Sequence, residues 1–259
     1  MNERGVIVGC DQNLEWLLPW FFENYSTHNT TPITFFDFGM SEYGKNFCKM
    51  HGRYLSLETL KEKHKCFSEL SDEDLGQFSI THPLDYMKIC HKAWMKKPLA
   101  CLYTPYETTI WIDIDCKVRK NIDGLFDLLA PESQICLSLD HPYTTHLKKI
   151  TGIIKEEEVQ FSSGAMIFRK NASFIRFWIE TISKKFYPGD QEALSDVING
   201  ESIPYKVLEK KYHLTNWEEI TIDAFILHYG GPQGKINLIK EILEKKPPLE
   251  ETAPQKDSV

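Results

Sequence analysis

The chain has 259 residues, 42% of them hydrophobic and 12% aromatic, enough for one large packed domain or two small ones. Thirty Lys and Arg against thirty-seven Asp and Glu leave a formal charge of -7, without the concentrated basic face that nucleic-acid binding needs. Seven cysteines, odd in number and without C-x-x-C spacing, indicate neither a zinc site nor a disulfide framework. Such scattered cysteines suit a reducing compartment. No signal-peptide pattern opens the chain, and WLLPWFF (16–22) is too short to span a bilayer, so a cytoplasmic chain with no transmembrane segment is expected.

Residues 5–11, GVIVGCD, read as a buried first strand ending in a turn. Helical spacing follows over 14–26, with Pro19 confined to the first turns. PITFFDFG (32–39) is a second strand running into glycine, and strand, helix and strand at this spacing form a βαβ unit that implies a parallel sheet. The Asp-Phe-Gly within it lacks the partner motifs of a kinase. Residues 57–78 read as a charged, solvated helical excursion, and 82–98 keep helical period up to Pro98. TTIWIDIDCKV (108–118) is a third strand, 121–129 a turn and short helix, and 134–140 another strand. After a polar insertion, 159–171 is a strand, 172–186 an amphipathic helix, and 188–200 a glycine turn with a helix beginning at Asp190. DAFILHYGGPQGKI (223–236) is a strand emptying into a glycine-rich loop. The expected organisation is one domain over 1–245 and a disordered tail over 246–259, which has no apolar periodicity.

An apolar β-branched run that ends in Asp113 and Asp115 poses a choice between a solvated sheet edge and a bound cation. Residues i and i+2 of a strand share a face, so both carboxylates can converge on one ion. Hard oxygen ligands suit Mg2+ or Mn2+. His228 ends the later apolar strand and is followed by Gly230, Gly231, Gly234 and Lys235. Glycine lets backbone approach a phosphate, and lysine supplies a compact charge for it. Taken singly, these residues have plainer readings. His228 reads as a satisfied core histidine, Asp190 as a helix N-cap, Asp140 as a turn residue and Lys97 as a solvated lysine.

As a set, the stretches resemble the retaining, nucleotide-sugar-dependent glycosyltransferases of the glycogenin and bacterial lipopolysaccharide galactosyltransferase type, over about residues 5–240. VIVGCD falls at the family's nucleoside end, WIDIDCKV at its aspartate motif and SSGAMIF at its Asn-Ala-Gly stretch. GDQEALS resembles its Asp-Gln helix start and HYGGPQGK its His-x-x-Gly-x-x-Lys loop. The resemblance implies an α/β GT-A fold, with a mostly parallel central sheet flanked by helices. It also implies a Mn2+ or Mg2+ cofactor and a nucleoside-diphosphate sugar donor, expected to be a UDP-sugar. A hexose would pass to an acceptor hydroxyl with retention of configuration.

Residue by residue, the resemblance implies metal binding by Asp113, Asp115 and His228, with Asp113 also on the ribose. Gly231 and Lys235 would hold the diphosphate, Cys10 and Asp11 would meet the base and ribose, and Lys97 would lie over the donor. Asp140, Ser162, Ser163 and Gly164 would line the sugar beside Asp190 and Gln191, the implied catalytic pair. This chain departs from the pattern at three points: Lys235 is one residue further from His228, Ile236 replaces a common Pro-Trp, and serines stand at 162 and 163. Two other readings stay open: a sugar nucleotidyltransferase, whose basic N-terminal glycine loop is missing here, and a nucleotide-sugar-binding protein without transfer activity. The acceptor, whether saccharide, lipid-linked or protein, is unidentified; loops 141–158 and 201–222 are expected to meet it.

Overall fold

In β1 (Arg4–Cys10) the residues Val6, Ile7 and Val8 are all buried, so this strand is covered on both faces, as parallel sheets require. The structure is a computed structural model describing residues 3–58, 84–215 and 223–244. After β1 come α1 (Leu18–His28), β2 (Ile33–Asp37), α2 (Glu42–His51) and β3 (Arg53–Ser56). Then follow α3 (Leu84–Trp94), α4 (Lys97–Leu102), β4 (Thr108–Ile112), β5 (Cys116–Val118) and β6 (Ile135–Leu139). The second half holds α5 (Pro142–Ile150), β7 (Phe161–Arg169), α6 (Ser173–Lys184) and α7 (Asp190–Gly200). It closes with β8 (Tyr205–Val207), β9 (His213–Thr215), β10 (Ile226–His228) and α8 (Gly231–Glu244).

Among the described residues, seven strands form one sheet in the order β3-β2-β1-β4-β7-β6-β8. Four of its pairings are parallel, and only β7 runs against its neighbours β4 and β6. The chain moves from β1 out to β3, then crosses back to β4 on the other side of β1. β1 and β4 therefore flank a switch point, where α/β sheets open a crevice at the strands' carboxyl ends. Alternation along the strands divides the core. Val6, Val8, Ile110, Ile112 and Ile167 pack with α1 on one face; Ile7, Trp111, Met166 and Phe168 pack with α6 and α7 on the other. Each such side chain, fully buried, contributes about 1.5–3 kcal/mol from apolar transfer. Among the described residues no helix is long and apolar enough to cross a membrane, and the six cysteines there are free and buried.

Two expectations are corrected. Residues 108–118 are not one strand: β4 stops at Ile112, Asp113–Asp115 turn, and β5 leaves for a second, three-stranded sheet in the order β5-β10-β9. The turn is closed by the Cys116 amide donating to the Asp113 carbonyl at 3.0 Å, and β10 captures β5 in antiparallel register. The glycine-rich stretch after His228 is only in part a loop: Gly230 is irregular, while Gly231 and Gly234 lie in α8. Gly231, with φ of 69°, takes the left-handed turn that glycine tolerates, and Pro232 then opens α8. α2, β3, α5, β8 and β9 stand where no element was expected. The helix anticipated over 57–78 and the tail over 246–259 fall almost wholly outside the described residues.

α3 is fastened by His91, whose Nε2 lies 2.9 Å from the Tyr187 carbonyl and whose ring stacks on Phe186. Burial holds its imidazole below the usual value, outweighing the Tyr187 bond and the nearby Asp190 and Glu192 carboxylates, which favour the charged form. The unfolded chain takes up this proton below about pH 6.5 while the folded chain resists it. His91 therefore contributes stability above about pH 6.5 that is lost as the pH falls. Urea denaturation at pH 7 and pH 5 should show a smaller loss on acidification in His91→Gln than in the wild type.

Candidate active site

Four strands bring their ends to one edge of the sheet: the carboxyl ends of β1, β4 and β6 and the amino end of the reversed β7. Across the order β1-β4-β7-β6 these ends span three strand spacings, about 14 Å. A cavity runs along this edge. Cys10, Lys97, Asp113, Asp115, Asp140, Ser162, Ser163, Asp190, Gln191, His228, Gly231 and Lys235 line it. Of the residues singled out in the sequence, Asp11, Gly164 and Gly234 lie off the lining. The Asp11 carboxylate accepts from the Asn13 amide at 3.0 Å, closing the turn after β1. Gly164 lies behind His228, where a Cβ would come 2.3 Å from the ring Nδ1.

The two aspartates converge through the turn between β4 and β5, not through strand alternation. Asp113 is held by its amide on the Gly164 carbonyl at 2.8 Å and by the Trp111 indole N–H on Oδ1 at 2.6 Å. One ligand atom each from Asp113, Asp115 and His228 lies within 4.8 Å of the other two. The His228 Nε2 is 3.5 Å from Asp115 and 3.9 Å from Asp113. The donor set of two carboxylates and one imidazole fits a hard divalent ion, with the nitrogen favouring Mn2+ over Mg2+.

Buried ammonium groups balance these acids. Lys97 opens α4, a helix in which Pro98, Leu99, Ala100 and Cys101 are all buried, so the lysine is carried into the interior with them. Its Nζ is 3.0 Å from Asp113, 2.8 Å from Asp190 and 3.0 Å from the Ser163 hydroxyl. Burial alone would lower its pKa, but Asp113 and Asp190 together hold it above the usual lysine value. For Asp113, burial raises the pKa and Asp115 adds to the rise, against the pull of Lys97 and His228. Asp115 goes the other way: burial opposes ionisation, yet Lys235, which contacts it directly, and His228 hold its carboxyl well below the usual range.

Asp190 is not the N-cap of α7. Gly189 holds that position, and the Asp190 carboxylate turns to Lys97 while its carbonyl accepts from the Trp178 indole at 3.0 Å. Gln191 accepts from the Ser163 amide at 3.4 Å, linking α7 to β7. Lys97 and Lys148 are both buried, so neither is a solvated lysine.

Three residues of the site were not read from the sequence. His213, on β9, brings its Nε2 to 3.3 Å from the His228 Nδ1, ring stacked on ring. Burial, with His228 adding to it, pushes its imidazole down to about 3, so it is neutral at pH 7. Lys148, on α5, and Glu192, beside Gln191, form a second buried cluster with Asp140. His213 sits in a stretch without apolar pattern and Lys148 within the polar insertion; adjacency to Gln191 is the only signal that could have marked Glu192.

No family model matches the sequence, and no curated protein matches it by sequence. Solved structures match by shape. The galactosyltransferase LgtC in complex with donor and acceptor sugar analogues superposes with a TM-score of 0.59 at 12% identity, covering 95% of this chain and 98% of that one. The glycosyltransferase GlyE of Streptococcus pneumoniae, without ligand, gives 0.57 at 12% identity, over 94% and 64% of the two chains. Mouse xyloside xylosyltransferase 1 gives 0.54 at 12% identity, over 87% and 97%. The fold is the GT-A fold that these glycosyltransferases share.

Removing the Lys97 ammonium leaves two carboxylates facing each other in the interior. Lys97→Met should cost about 3–5 kcal/mol of unfolding free energy. Chemical denaturation at pH 7 measures this, and Lys97→Arg should recover part of the loss.

Proposed function

We propose that the protein is a metal-dependent glycosyltransferase that moves a hexose from a nucleoside-diphosphate sugar to an acceptor hydroxyl with retention. UDP is the expected carrier and Mn2+ or Mg2+ the expected ion. The observation that carries the reading is the convergence of Asp113, Asp115 and His228 at the switch-point edge, with Lys97 and Lys235 beside them. The GT-A fold supports it.

Once bound, a divalent ion supplies neutralising charge to the departing diphosphate. Asp113 and Asp115 would hold it as hard oxygen ligands. His228 would present its Nε2 while donating its Nδ1 hydrogen to neutral His213, the outer bond that orients a ligating imidazole. Lys235 would exchange its contact with Asp115 for the diphosphate, placing a preformed positive charge where negative charge develops. Gly231 offers backbone at the same position without a side chain in the way.

On the sugar side, Lys97 fixes Asp190 and Asp113, and Ser163 fixes Gln191. Gln191 carries an amide, a poor nucleophile, so no covalent carboxylate intermediate of the glycosidase kind is proposed. The acceptor hydroxyl would attack on the face the diphosphate leaves, which retains configuration. The buried free cysteines fit a reducing compartment, and we propose the cytoplasm and a single domain through residue 245.

UDP with Mn2+ should raise the melting temperature by mass action on the folded state, and UDP with a chelator should do much less. Asp115→Asn should fold with somewhat reduced stability, because Lys235 loses its charged partner while keeping the Tyr229 carbonyl at 3.1 Å. It should also lose most of the Mn2+-dependent protection. If UDP and the other common nucleoside diphosphates protect wild type and mutant equally, the reading fails. Detection of a transferred sugar, against hydrolysis or nucleotide exchange, then identifies the reaction.

A further inference from the structure

The β6 end of the cavity holds charges that the diphosphate chemistry does not use. Lys148 is 4% exposed, with its Nζ 2.9 Å from Asp140 Oδ2 and 2.6 Å from Glu192 Oε1. The other Asp140 oxygen accepts from the His141 amide at 2.8 Å. The second Glu192 oxygen lies over Gly189, where a Cβ would come 2.7 Å from it. All three side chains line the cavity, beside Trp94 and Gln191.

A purely structural tie between α5 and α7 could be made by apolar side chains at lower desolvation cost. Here the tie is ionic, and it faces the same space as the Asp113–Lys97–Asp190 row. The two rows together set four carboxylates against two ammonium groups, a net charge of -2 before any ion binds. Both ammonium groups are already shared between two carboxylates. Fixed donors and acceptors in alternation suit hydroxyl groups, each of which donates and accepts. A ligand carboxylate would instead meet Asp140, Asp190 and Glu192 with no uncommitted cation in either row.

We infer that Lys148 and Glu192, at the end of the cavity expected to take the sugar ring, set its selectivity for neutral sugars against sugars that carry a carboxylate. The inference rests on the nucleotide-sugar reading above. Lys148 supplies a donor to ring hydroxyls, and Glu192 holds it in place while rejecting negative charge. Lys148 pairs with Asp140 and Glu192, while Asp115 is held by His228 and Lys235, so Lys148 and Glu192 should be separable from nucleotide binding.

The test measures binding in the presence of Mn2+ for UDP, UDP-glucose, UDP-galactose and the corresponding uronic acids, which differ from them only at C6. Wild type should bind the neutral sugar nucleotides roughly tenfold or more tightly than the matching uronates, since at an effective dielectric of about 20 like charges about 4 Å apart repel by more than that factor. Glu192→Gln, close in shape, should narrow that gap. Lys148→Met should lose the affinity that the sugar adds over UDP while leaving UDP itself little changed. Equal or tighter binding of the uronates by wild type would overturn the inference. So would variants in which UDP and UDP-sugars weaken in the same proportion, the signature of a structural tie alone. If folded wild type binds UDP but gains nothing from any sugar, the subsite is wrong and the nucleotide reading stands. If it binds no nucleotide, both fall together.

Discussion

The ammonium group of Lys97 sits between carboxylates delivered by the turn after β4 and by the first turn of α7, with the Ser163 hydroxyl of β7 also in reach. None of these charges could be buried alone. A lysine taken out of water with one partner, or an aspartate with none, costs several kcal/mol that packing does not return. Only the three together are tolerable, and only if β4, α4, β7 and α7 meet in one arrangement. The same group thus fixes Asp113, Asp190 and Ser163 in one arrangement at the cavity edge, and the Ser163 amide in turn holds Gln191.

Asp115 obeys a similar rule a few ångströms away. Lys235 and His228 lie against it, so two carboxylates that repel each other are each held by an ammonium group from a different element, Asp113 by Lys97 and Asp115 by Lys235. Each carboxylate of the pair has its own ammonium partner.

Much of this was legible in the sequence because it rests on short-range pattern. The apolar runs around Val6, Phe35, Ile110 and Ile167 announced buried strands, and the carboxylates after Ile112 marked the edge along which the cavity opens. The route to convergence was not legible. Strand periodicity brings Asp113 and Asp115 to one face, but the chain turns there instead, because β10 captures Cys116–Val118 for a second sheet. That pairing joins residues more than a hundred positions apart, and no local pattern encodes it. Lys97 looks like a solvated lysine and Lys148 disappears into a polar insertion for the same reason: nothing near them in sequence shows the acids they meet. His213 was invisible because three-residue strands such as β9 carry too few positions for alternation to register.

Gly164 has a bearing on how this chain can vary. Its carbonyl holds the Asp113 amide, and its missing side chain leaves the space the His228 ring occupies. A methyl group there would overlap the imidazole, so the two positions are tied as a pair. A homologous chain that keeps histidine at the end of β10 must keep glycine on β7, while one that trades the histidine for something smaller is free to fill the gap. Covariation between these two positions, on strands from different sheets and 64 residues apart in the numbering, would mark which related chains retain an imidazole at this edge and which have replaced it.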